Sequence, residues 1–161
     1  MTPRKELFIK TKEALALLPV LELVDLQRKQ FNQPKENWPS YFTAALIEIK
    51  AIKWETMVEQ KQKGVTTLDV TFYCKDGWMD QHNGTADPDH GLIEIDVIDS
   101  IVETLQGLRG DSFTPLDLDN EESVDEVEEI MSYKISFSTI IYRKINPRFS
   151  KQKLTVETPT A

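Results

Sequence analysis

Both histidines of the chain fall in one stretch, Asp80-Gln81-His82 followed by Asp87-Pro88-Asp89-His90. Imidazole and carboxylate groups together suit a borderline divalent ion. The spacing matches no standard site, because a helical histidine pair sits at i, i+4 and no cysteine lies nearby. Asp80, Gln81 and Asn83 leave the calcium-loop frame incomplete. Asp, Asn, Gly and Pro are also what a long turn uses for backbone reasons. His82, His90, Asp87 and Asp89 are therefore weak metal candidates, and the expectation is no metal and no cofactor.

A second concentration of chemistry is acidic. Asp117 to Glu129 carries eight carboxylates and no basic residue. Paired carboxylates do acid–base work when burial splits their pKa values. The few apolar residues here argue against burial, so the stretch reads as an exposed loop between strands. It could also dock a basic partner, or line a passage that DNA must slide past. Lys61 and Lys63 sit in a polar connector and read as a solvated hairpin or docking loop. Trp38, Trp54 and Trp78 fall at strand or loop edges, where Trp78 could anchor an interface. No phosphate-cradling glycine loop, G-x-S-x-G elbow or Cys/His nucleophile pair occurs.

The 161 residues fit one domain, with 40% hydrophobic and 29% charged residues, which excludes disordered and membrane-like compositions. No apolar run approaches the ~20 residues that span a bilayer. Lys10, Lys12 and Glu13 interrupt the place where a secretory signal needs apolar residues, so the expectation is cytoplasmic. The lone Cys74 reads as a small buried hydrophobe. Charge is uneven. Residues 1–63 carry 11 Lys+Arg against 8 Asp+Glu, residues 64–130 carry 2 against 18, and residues 131–161 carry 6 against 1. This acidic total opposes general nucleic-acid binding, and the unevenness suits head-to-tail contact between identical subunits.

The elements that would position these groups follow from periodicity. Thr2-Pro3 opens a helix, with Leu7, Phe8, Thr11, Ala14, Leu15 and Leu18 on one stripe and Pro19 at its end. Val20 to Phe31 reads as extended, and a loop lies between Pro34 and Pro39. Ala45, Ile47 and Ile49 alternate with Leu46, Glu48 and Lys50, then Ile52 and Trp54 take over the phase, so a β-bulge is expected near Lys50-Ala51. The polar connector Glu55 to Gly64 leads to a strand with Thr66, Leu68, Val70 and Phe72 on one face. Lys75 to Gly91 reads as a loop. Leu92 to Leu108 reads as a helix, with Ile93, Val97, Ile98, Ile101, Val102, Leu105 and Leu108 inward and Glu94, Asp96, Asp99 and Glu103 outward. A short strand is expected at Phe113 to Leu118. A long final strand places Met131, Tyr133, Ile135, Phe137, Thr139 and Ile141 on one face. The sum is an α+β domain over 1–145, a mostly antiparallel sheet of about four or five strands against two amphipathic helices in two layers. Residues 146–161 read as a flexible tail.

The order helix, strand, Trp38-Pro39-Ser40-Tyr41-Phe42 loop, Ala45 to Trp54 strand with Ile52-x-Trp54, glycine-ended connector, strand, helix and long last strand resembles a known family. It is similar to the tail terminator and tail-completion proteins of long-tailed bacteriophages and prophages, over about residues 2–145. The resemblance implies a virion structural protein and no enzyme. It implies a homo-oligomer, a hexameric ring that caps the tail tube and joins it to the head connector, with DNA passing through without specific binding. Location in the host cytoplasm during assembly and then in the virion tail follows. By the same analogy, Glu59, Lys61, Lys63, Trp78, Asp119, Glu121 and Glu122 would meet neighbouring subunits or partners. Two other readings stand beside it: a small acidic adaptor docking through Asp117 to Glu129, and a metal-dependent enzyme using the 80–90 loop.

Overall fold

A computed structural model describes residues 1–40, 43–75, 81–84, 86–124 and 127–149. Helix α1 spans Pro3–Ala16; the Thr2 hydroxyl accepts from the Lys5 amide, and proline stands in its first turn. Strand β1 (Leu23–Leu26) follows, then short 3-10 turns at Gln30–Asn32 and Lys35–Asn37. Strands β2 (Thr43–Thr56) and β3 (Lys61–Lys75) form a hairpin. Helix α2 spans Ile93–Leu105, and strands β4 (Asp117–Val124) and β5 (Ile130–Lys144) close the sequence of elements. The sheet order is β1-β2-β3-β5-β4, with β1 parallel to β2 and every other pairing antiparallel. The fold is α+β, a five-stranded, mostly antiparallel sheet against two helices, as expected.

The helix-side core joins Leu7 and Leu15 of α1, Val97, Ile98, Ile101 and Leu105 of α2, and Leu68, Val70, Phe72, Ile135, Phe137 and Ile141 of the sheet. Cys74 is buried at its border. Burying each large aliphatic or aromatic side chain contributes roughly 1.5–3 kcal/mol, which is what holds the layers together. The expected bulge is present: Ile49 faces Leu68 and Ala51 faces Thr67, so Lys50 is the extra residue. Gly64 lies opposite Trp54, where an added Cβ would come within 2.7 Å of Ile52 and 2.9 Å of the Trp54 ring. The indole needs that space.

Four expectations are corrected. The connector Glu55 to Gly64 is mostly strand, and only Met57 to Gln60 turns, with Glu59 and Gln60 left-handed at φ 58° and 63°. Polar residues form ladder there because β3 is paired on both sides and Glu55 faces Lys63 across the hairpin. The acidic stretch from Asp117 is an edge strand rather than a loop up to Val124, and Phe113 contributes only an isolated bridge to Ile141. On α2, Ile93 is 63% exposed and Glu94 is buried, the reverse of the expectation. The buried stripe is 94-97-98-101-105, and the Glu94 Oε2 on it has no hydrogen-bond partner among the described residues. Finally, Val20 to Phe31 holds only the four-residue β1 and a 3-10 turn. That turn puts Phe31 over the other sheet face, where it packs with Ala44, Leu46, Tyr73 and Ile130.

Glu6 ties α1 to the chain after α2. Its buried carboxylate accepts from the amides of Asp111 (2.6 Å) and Ser112 (3.0 Å) and from the Ser112 hydroxyl. These bonds, the Ser112 hydroxyl foremost, hold its pKa below the usual 4.5 against the opposing effect of burial. A lowered carboxylate pKa stabilises the fold above the unfolded value and loses that contribution as pH falls through the folded one. Glu6→Gln is expected to lower stability by about 1.5–3 kcal/mol in urea melts at pH 7. It should also flatten the loss of stability that the wild type shows from about pH 4.5 downward. Equal pH profiles for the two proteins would rule out this role.

Candidate functional site

The sheet face away from the helices divides into three zones along its strands. At one end Phe31 and Trp38 cover Ala44, Leu46 and Tyr73, with the Phe31 and Tyr73 rings 4.7 Å apart. The middle is an open polar groove of about 210 Å³, bordered by Gln27, Lys29, Glu48, Lys50, Thr71 and Lys134. At its floor Asp69 is only 2% exposed. The Ser136 hydroxyl donates to its Oδ1 at 2.6 Å, and the Lys50 ammonium stands 3.8 Å from Oδ2. Lys50 follows Glu48, the Asp69 pair, by two residues, so strand alternation puts it on the same face, and the bulge begins at that residue.

The third zone carries no cover among the described residues. Register places Lys53, Val65, Tyr142, Lys63, Lys61 and Lys144 on this face. Val65 is 46% and Tyr142 43% exposed. At the adjoining turn Met57 and Val58 are exposed as well. None of these four lysines makes a salt bridge with a described residue, although Glu55 stands opposite Lys63 on this face; Lys50 and Lys134 farther along it pair with Asp69 and Glu122. On the helix side of the same end, the Arg143 guanidinium lies 3.7 Å over the Trp54 ring, with its Nε donating to Gln62 at 3.0 Å. Arg4 approaches the same ring at 5.9 Å. Such stacks contribute roughly 0.5–2 kcal/mol. This end of the sheet is therefore basic on both faces.

The opposite character appears on β4, the outer strand. The Gln106 side chain pins its start, donating to Asp117 Oδ1 at 2.9 Å and accepting from the Leu118 amide at 2.8 Å. A register shift between Leu118 and Asn120 marks a bulge at Asp119. Glu121 accepts from the Tyr133 hydroxyl at 3.3 Å, and Glu122 pairs with Lys134 at 2.8 Å. Burial first, then the Glu121 and Asp99 carboxylates, push the Tyr133 hydroxyl above its usual 10. The Lys134 contact holds the exposed Glu122 carboxyl low.

The expected interface residues thus divide. Glu59 is in the hairpin turn, Lys61 and Lys63 in the basic zone, and Asp119, Glu121 and Glu122 on the acidic edge. Trp78 and Asp80 lie outside the described residues, as does the expected tail from residue 150. The metal candidates are held by turn chemistry. His82 Nδ1 meets the His90 carbonyl at 2.8 Å, and Asp87 Oδ1 accepts from the Asp89 amide at 3.0 Å. Among the described residues, no three His, Cys, Asp or Glu side chains gather to hold an ion. Sequence reasoning passed over Asp69, Lys50, Ser136, Arg4, Arg143 and Tyr142. A carboxylate in the middle of an apolar alternation was the available signal for Asp69. No protein-family model and no curated protein matches the chain.

The buried Asp69 carboxylate depends on its hydroxyl donor. Ser136→Ala is expected to cost about 1.5–3 kcal/mol in chemical denaturation. Lys50→Met, at a half-exposed partner, should cost no more than ~1 kcal/mol. The reverse ranking would remove the hydroxyl from the role given to it.

Proposed function

We propose that this chain is a structural subunit that closes into a ring by head-to-tail contact. In the manner of the tail terminators it resembles, the ring would be a hexamer. It would cap a tail tube, join it to the head connector in the assembling virion, and leave DNA a central passage. The carrying observation is that one rigid sheet presents two unlike surfaces, an acidic open edge on β4 and an uncovered basic end. Two different surfaces that fit one another generate a ring or a filament, whereas a self-complementary patch would stop at a dimer. The order of elements supports the same reading. The polar turns around His82 and His90 give the enzyme reading less support, since their side chains serve the loop backbone.

Native mass spectrometry over a concentration series, with and without added zinc, tests this reading. A closed hexamer that ignores metal is the expected outcome, either alone or after addition of tail tubes. Tube length distributions should narrow when the protein is present during polymerisation. A species that remains monomeric on tubes, or one that takes up a single zinc ion tightly, would count against it.

A further inference from the structure

We infer that the basic zone around Val65 and Tyr142 is the seat for the acidic β4 edge of a second copy of this chain. The inference rests on the ring reading and names the surfaces that meet. An exposed aliphatic and an exposed aromatic side chain at the centre, with Lys53, Lys61, Lys63 and Lys144 around them, have the anatomy of a contact patch: apolar middle, charged rim. These cations are unmatched among the described residues, whereas Lys50 and Lys134 farther along the same face are each paired. One carboxylate, Glu55, stands opposite Lys63 within this zone, so four lysines face a single glutamate there, and further carboxylates without an ion pair lie on β4. Asp119 makes no salt bridge with a described residue, and Glu121 accepts only a tyrosine hydroxyl among them.

The two surfaces cannot satisfy each other within one molecule. Strand β4 is hydrogen-bonded beside β5 in the same sheet, so its outer edge cannot fold over that sheet's own face. Another copy can bring its β4 edge to this zone, which the molecule's own β4 cannot reach. The bulge at Asp119 and the carboxylates beside it discourage a neutral strand from adding to this edge. They leave it suited to a lysine-bearing partner. Complementary charge then sets the register of the contact and its rate of formation more than its ultimate strength.

Two variants read this out, each checked for native melting by circular dichroism. One reverses the seat (Lys61→Glu with Lys63→Glu), the other the edge (Asp119→Lys with Glu121→Lys). Each alone is expected to weaken self-association at least about tenfold. Mixed, each reversed surface meets its complement, so the two variants should co-assemble in strict alternation and recover the association that each has lost alone. In a mixture of light and heavy-isotope wild type, carbodiimide should link Lys61 or Lys63 of one copy to Asp119 or Glu121 of another. Rings that form undiminished in either variant overturn this seat while leaving the ring reading intact. Wild-type protein that never associates, in solution or on tubes, overturns both. Intact rings combined with loss of retention on DNA in the seat variant would reassign the lysines to nucleic acid and overturn the inference.

Discussion

A mismatch of lengths governs this molecule. Strands β3 and β5 pair without interruption from Lys61↔Lys144 to Lys75↔Ile130. Fifteen extended residues reach about 50 Å, whereas helices of 14 and 13 residues reach about 20 Å. Two such helices shield the middle of the ribbon and leave its far end without a second layer. The residues at that end obey the consequence. Lysines, glutamates and glutamines alternate there, and the indole of Trp54 lies under the Arg143 guanidinium with only the first turn of α1, through Arg4, near it. The opposite face is partitioned by the same arithmetic, because the 27–40 segment covers one end of it and no more.

Features set by local chemistry were legible in the sequence. The threonine cap and first-turn proline of α1, the phase slip at Lys50 and the two-faced alternation of β5 each follow from a few neighbouring residues. The parts that were not legible depend on distant partners. Lys61 to Lys63 are strand because β5 runs alongside them, and Asp119 to Glu122 are strand because Lys134 and Ile135 wait across the ladder. A polar run reads locally as a loop, and only the register overrides it. The phase of α2 failed for a related reason. Ile93 and Ile95 raise the apolar content of the first turn, yet the buried face is fixed farther along by Val97, Ile101 and Leu105.

The polar groove shows how such a sheet accommodates a buried charge. Asp69 could have been an isolated liability among apolar neighbours. A lysine in β2 and a serine in β5 convert it into a bonded group with a cation at the rim. The bulge that follows Ile49 corrects the hydrophobic phase of β2 for Ile52 and Trp54.

Thr2, Pro3 and Arg4 line the same hollow as Lys144 and Ile145, and the Ile145 amide is tied to the Gln60 carbonyl at 3.0 Å. The chain thus enters and leaves this domain at one doorway. A fold whose two ends meet is topologically close to a loop, so it could be spliced as a guest into a host chain, or strung in tandem, with only a few joining residues. Copies could then be multiplied on one polypeptide without opening the sheet.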